Sequence, residues 1–149
     1  MSLTSDIQAA IITAMKAKDK ETLSVLRMTK AAISNKQIEL GHDLSDDETL
    51  AVLASEVKSR NDSITDFKKG KRQDLVEKTE NEIKVLTKYM PVQLTEAELD
   101  NLVSQTIQQL NAAGLRDMGK VMGALSAKTK GRADGAKVAS LVKTKLGAQ

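Results

Sequence analysis

Apolar side chains recur along this chain at intervals of three and four residues, the spacing of one face of an α-helix. Ile7, Ile11 and Met15, with Ala10 and Ala14 beside them, form a first stripe behind a Ser5 placed to cap it. Leu23, Leu26, Ile33 and Leu40 form a second, closed by Gly41 in the position just past a helix end. Ser45-Asp46-Asp47-Glu48 matches a capping box, and Leu50, Leu53, Val57, Ile64 and Phe67 continue at helical spacing to Gly70. Asp74 is placed to cap a fourth helix that turns Leu75, Ile83, Leu86 and Met90 inward. Four amphipathic helices joined by short loops pack most simply as a bundle.

Pro91, the only proline, stops that pattern, and a new start signal follows at Thr95-Glu96-Ala97-Glu98, a second capping box with Leu94 and Leu99 spaced for a hydrophobic staple. Leu99, Leu102, Val103, Thr106 and Leu110 then share a face as far as Gly114. Asp117 is placed to cap a helix through Met118, Val121, Met122 and Leu125, and Asp134 to start a last one with Val138, Leu141, Val142 and Leu146 inward. The chain therefore reads as all-α in two domains: residues 1–91 as a four-helix bundle-like domain and residues 92–149 as a three-helix domain. A unit of about 55–60 residues is marginal alone, so it is expected to fold but to move relative to the bundle, with a cleavable connection at Val92 to Leu94.

Composition narrows the class. Hydrophobic residues at 40% and charged residues at 29% of the 149 are ordinary globular usage, which excludes a disordered chain. Phe67 and Tyr89 are the whole aromatic content, a palette that suits aliphatic helix packing better than a sheet. The absence of cysteine removes disulfides, thiolate nucleophiles and cysteine-containing zinc sites. No stretch approaches the roughly 18 apolar residues of a membrane span, and neither a signal peptide nor an Arg-rich leader is visible. The expected compartment is the cytoplasm, with no membrane association.

Charge is distributed unevenly. Residues 1–90 carry fifteen basic and fifteen acidic side chains, whereas residues 116–149 carry eight basic against two acidic. Within that basic third, Lys120, Lys128, Lys130, Arg132 and Lys137 bracket a turn containing Gly131 and the start of the last helix. A basic turn beside exposed helix N–H groups favours an anion such as phosphate, though a solvated face has the same composition. Without aromatics, single-strand binding by base stacking is disfavoured, which leaves shape and backbone reading of a folded RNA. Gly119 and Gly123, with Ala127, recur every four residues, although each glycine inside a helix costs about 1 kcal/mol against alanine. Either close helix packing or close approach of a ligand to the backbone would explain them.

Catalytic candidates are few. His42 sits in Gly41-His42-Asp43, an exposed connection with no second histidine to complete a metal site. The Asp46-Asp47-Glu48 cluster occupies a helix start, where capping explains it. A phosphate loop ending at Lys128-Thr129 fails because Ala127 and Met122 stand where glycines are required. No dinucleotide fingerprint or nucleophile elbow is present. The residues give no catalytic site, no metal site and no cofactor.

Four blocks then resemble the GatB/YqeY family, specifically its stand-alone YqeY-like proteins. They are Leu23-Ser24-Val25-Leu26-Arg27-Met28, Tyr89-Met90-Pro91-Val92-Gln93-Leu94, Arg116-Asp117-Met118-Gly119-Lys120-Val121-Met122 and Lys130-Gly131-Arg132-Ala133-Asp134-Gly135, the last two being the specific ones. The resemblance spans essentially the whole chain. It implies a two-domain helical fold shared with the tail of the GatB subunit of the tRNA-dependent amidotransferase, a region that helps engage tRNA. The catalytic body of GatB is missing, so glutamine-dependent carbon-nitrogen ligation, the family label, is not expected of this chain alone. The resulting expectation is a non-catalytic tRNA-binding accessory module of aminoacyl-tRNA metabolism, working beside an aminoacyl-tRNA synthetase or amidotransferase. Its proposed contacts are Lys120, Lys128, Lys130, Gly131, Arg132 and Lys137. The alternative is a protein-interaction adaptor that uses the N-terminal bundle.

Overall fold

The structure, a computed structural model, describes residues 2–147. Among them the only regular elements are helical: α1 (Leu3–Lys16), α2 (Lys20–Leu40), α3 (Asp46–Lys69), α4 (Gln73–Thr87), α5 (Glu96–Gln109), α6 (Met118–Thr129) and α7 (Gly135–Gly147), with a 3-10 turn at Leu115–Asp117 ahead of α6. The chain divides into two compact units, Met1–Pro91 and Val92–Gln149.

In the first unit α2 packs against α1, α3 and α4, and α3 lies along α4. Ile7, Val25, Leu26, Leu53 and Leu86 are almost completely buried at its centre. The capping box at Ser45 is present in full: its hydroxyl accepts from the Glu48 N–H and the Glu48 carboxylate accepts from the Ser45 N–H. Gly41 ends α2 in the left-handed region at φ +76, a conformation without penalty only for glycine. Two caps differ from expectation. Ser2 caps α1, accepting from the Ser5 N–H at 3.1 Å, so Ser5 lies inside the first turn. Arg72 precedes α4 without a side-chain cap, and Asp74 instead pairs with Arg72 at 3.0 Å. In both places the competing bond is local, within three residues of chain.

Arg60 of α3 is buried, with its side chain only 8% exposed. Its Nη1 donates to the Glu56 carboxylate at 2.8 Å and its Nε to Glu82 of α4 at 3.2 Å. The two carboxylates satisfy the guanidinium where water cannot, the arrangement a buried charge requires.

In the second unit α5, α6 and α7 pack pairwise around Val103, Val121, Leu125, Val138, Val142 and Leu146, each no more than 1% exposed. The Thr95 capping box starts α5 as its sequence indicates, and Lys145 of α7 reaches Asp100 of α5 at 3.0 Å. Asp117 makes no cap bond to α6; its carboxylate accepts the Ala113 N–H at 2.7 Å and pins the loop leaving α5. The segment Val92–Leu94 is hydrogen-bonded to the α6–α7 turn and belongs to the second unit.

Candidate nucleic-acid interface

The α6–α7 turn is built from its backbone. The Lys130 N–H donates to Ser126, and the Arg132 and Ala133 N–H groups both donate to the Thr129 carbonyl, at 2.9 and 3.1 Å. Between them Gly131 adopts φ +71, which a residue with a Cβ enters only with strain. Thr129 itself is buried, its hydroxyl donating to the Leu125 carbonyl at 3.0 Å, so the turn is anchored to the core while its neighbours face outward.

Four of the basic candidates lie at this turn. Lys128 is in the last turn of α6, Lys130 follows the helix end, Arg132 lies within the turn and Lys137 is in the first turn of α7. Lys128, Lys130 and Lys137 are exposed, while Arg132 is half-buried and donates from Nε to the Val92 carbonyl at 3.0 Å. Lys120 stands apart. It precedes Lys128 by eight residues, about 12 Å of helical rise, and its Nζ donates to the Leu110 carbonyl at the end of α5 at 3.1 Å. Its charge therefore sits against the last carbonyls of another helix, where a cation is favoured.

The start of α7 is not an open anion cradle. Asp134 supplies its own carboxylate to the Ala136 N–H at 3.0 Å, and its carbonyl accepts from Val138. The cationic groups around this turn are the side chains of Lys128, Lys130, Arg132 and Lys137. Gly119 and Gly123 are exposed on α6, and a Cβ built on either meets nothing within 4 Å. Close helix packing therefore does not account for them. Residues that sequence reasoning missed here are Gln93 and Val92, which reach the turn across 38 and 40 residues of chain.

Elsewhere, α2 and α3 flank an open groove of about 480 Å³ with Ala32, Leu40, Ala51 and Val52 among its lining residues. The glutamates around it are engaged: Glu39 with Lys36 at 3.1 Å, Glu56 with Arg60, and Glu48 in the capping box with His42 Nε2 at 3.6 Å. His42 is exposed, and its Nδ1 donates to the Asp43 carbonyl at 2.7 Å. Among the described residues no three His, Cys, Asp or Glu side chains gather to hold a metal ion, and no helix is long and apolar enough to cross a membrane.

A family model described as Yqey-like protein matches residues 4–146. A relative from Pyrenophora tritici-repentis, named altered inheritance of mitochondria protein 41, mitochondrial, is 34% identical over 130 residues, which are 85% of this chain and 71% of that protein. Proteins of the same name from Kluyveromyces lactis and Saccharomyces cerevisiae strain S288c are 41% and 36% identical, each over 65% of this chain. The matches cover 54% and 52% of those two proteins, so the chain spans about half of their length. All three relatives are named as mitochondrial proteins, which contradicts the cytoplasmic compartment expected from the sequence.

Proposed function

The chain belongs to the YqeY-like protein family, and from that premise we propose that it is a non-catalytic module that binds structured tRNA through the phosphates, using the α6–α7 turn of its second unit. The observation that carries this reading is the grouping of Lys128, Lys130, Arg132 and Lys137 around one glycine-dependent turn, in a stretch with eight basic and two acidic side chains. Cationic side chains on an ordered backbone neutralise phosphates and release counterions, which supplies affinity without base reading. Lys120 adds long-range positive charge from the far end of α6. Aminoacyl-tRNA metabolism is the proposed setting, with a synthetase or amidotransferase as the enzyme it assists.

The test is a binding titration of tRNA against the full chain and a Lys128→Ala/Lys137→Ala variant. Both lysines are exposed, so the variant removes charge without opening the core. Weaker binding at unchanged helical content supports the reading. Equal binding by the variant moves the interaction elsewhere. Absence of tRNA binding by the parent would favour the adaptor reading, for which Ile12, Met15, Met28 and Ile38 of the first unit, 47–80% exposed, offer apolar contact area to a protein.

A further inference from the structure

Three hydrogen bonds tie Val92–Leu94 to the basic turn. Gln93 Nε2 donates to the Gly131 carbonyl at 2.7 Å, the Leu94 N–H to the Arg132 carbonyl at 2.9 Å, and Arg132 Nε to the Val92 carbonyl at 3.0 Å. The next residue, Thr95, opens the capping box of α5, so the strap is continuous with a helix whose start is itself fixed. The carbonyls of the two turn residues between Lys130 and Ala133 are thus both held from outside the turn. Arg132 is held as well, yet its planar fork carries five N–H donors and the strap takes one. The remaining four suit an oxyanion, which guanidinium binds in charge-assisted pairs.

We propose that the strap Val92–Leu94 preorganises the turn at 130–132 for a phosphate-type oxyanion, with Gln93 as a positioning residue that holds the backbone and does not touch the ligand. This rests on the tRNA-phosphate reading of the same turn. A loop already fixed in its binding geometry loses less conformational freedom when the ligand arrives. The coupling is reciprocal: an anion that prefers the strapped turn also tightens the strap.

Gln93 is uncharged and exposed, so Gln93→Ala alters neither the charge pattern nor the core. The experiment measures affinity for bulk tRNA at several salt concentrations and amide exchange at Leu94, on the full-length parent, Gln93→Ala and Lys128→Ala. Gln93→Ala is expected to weaken binding by about 2- to 10-fold, the range of one hydrogen bond. Its slope of log affinity against log salt stays that of the parent, because the phosphate contacts are unchanged. It also speeds Leu94 exchange, and saturating tRNA slows that exchange in the parent. Lys128→Ala does the opposite, flattening the slope while leaving Leu94 exchange in the unliganded protein alone. If Gln93→Ala binds like the parent, or tRNA leaves Leu94 exchange unchanged, the strap proposal is wrong while the tRNA reading stands. If the parent does not bind tRNA, both fall.

Discussion

Gly123→Ala is expected to stabilise the protein. Gly123 lies in the interior of α6 with ordinary helical geometry, is exposed, and has open space where a Cβ would stand. The methyl therefore costs no packing strain and removes conformational freedom from the unfolded chain, a gain of about 1 kcal/mol. Gly119, in the first turn of α6, should gain less because its backbone is less constrained by helical hydrogen bonds. The size of the melting shift carries a second result. With an unfolding entropy of about 2.1 cal/mol/K per residue, 1 kcal/mol raises Tm by about 8 °C if the 58 residues of Val92–Gln149 melt as their own unit. The same gain raises Tm by about 3 °C if all 149 residues melt together. Thermal denaturation followed by circular dichroism distinguishes the two, and a large shift confined to one of two transitions would establish independently melting units. A lower Tm in Gly123→Ala would refute the reasoning, since it requires the methyl to meet an atom that the structure does not place there.

Arg60→Ala leaves the carboxylates of Glu56 and Glu82 facing each other without their shared cation; both are about a quarter exposed, so solvent screens part of the penalty and a loss of roughly 2–4 kcal/mol in urea denaturation is expected. Acid should weaken the starts of α2, α3 and α4. The Thr22 hydroxyl and N–H hold Asp19 below the usual carboxylate range, the Ser45 N–H does so for Glu48, and the Arg72 guanidinium does so for Asp74. Because these folded-state pKa values are depressed, the stabilisation is present above the unfolded values near pH 4 and is lost as pH falls through the folded ones; Asp19→Asn should flatten that acid limb in pH-dependent melts. Purified protein given glutamine, ATP and misacylated tRNA should show only background amide transfer, and sustained product that vanishes on mutating one hydroxyl or acidic residue would overturn the non-catalytic reading.

Helix identity was legible where local chemistry is unambiguous. The boxes at Ser45 and Thr95 and the glycine after α2 mark their helix ends because the bonds they make lie within three or four residues. Ser5, Asp74 and Asp117 were misleading for the same local reason: each has the right side chain, but a neighbouring residue or a loop amide competes for the role. The glycines of α6 carried a signal that the four-residue repeat alone obscures. Gly119 and Gly123 are two residues from Val121 and Leu125, about 200° around the helix, so a buried Val121–Leu125 face puts the glycines on the solvent side. Arg60 was half legible, since Glu56 lies one turn before it while Glu82 arrives only through the packing of α3 on α4. The strap was not legible at all. Nothing distinguishes Gln93 from other polar residues until the fold brings Gly131 to it across 38 positions.

The central claim is that the basic turn of the second unit binds tRNA by its phosphates, and the most direct measurement is the salt dependence of tRNA affinity in the full-length protein. Four contacts, from Lys128, Lys130, Arg132 and Lys137, predict a slope of log affinity against log salt of roughly −3, reduced by about 0.7–0.9 for each lysine replaced by alanine. Undetectable binding at low salt, or a slope that Lys128→Ala and Lys137→Ala leave untouched, would contradict it.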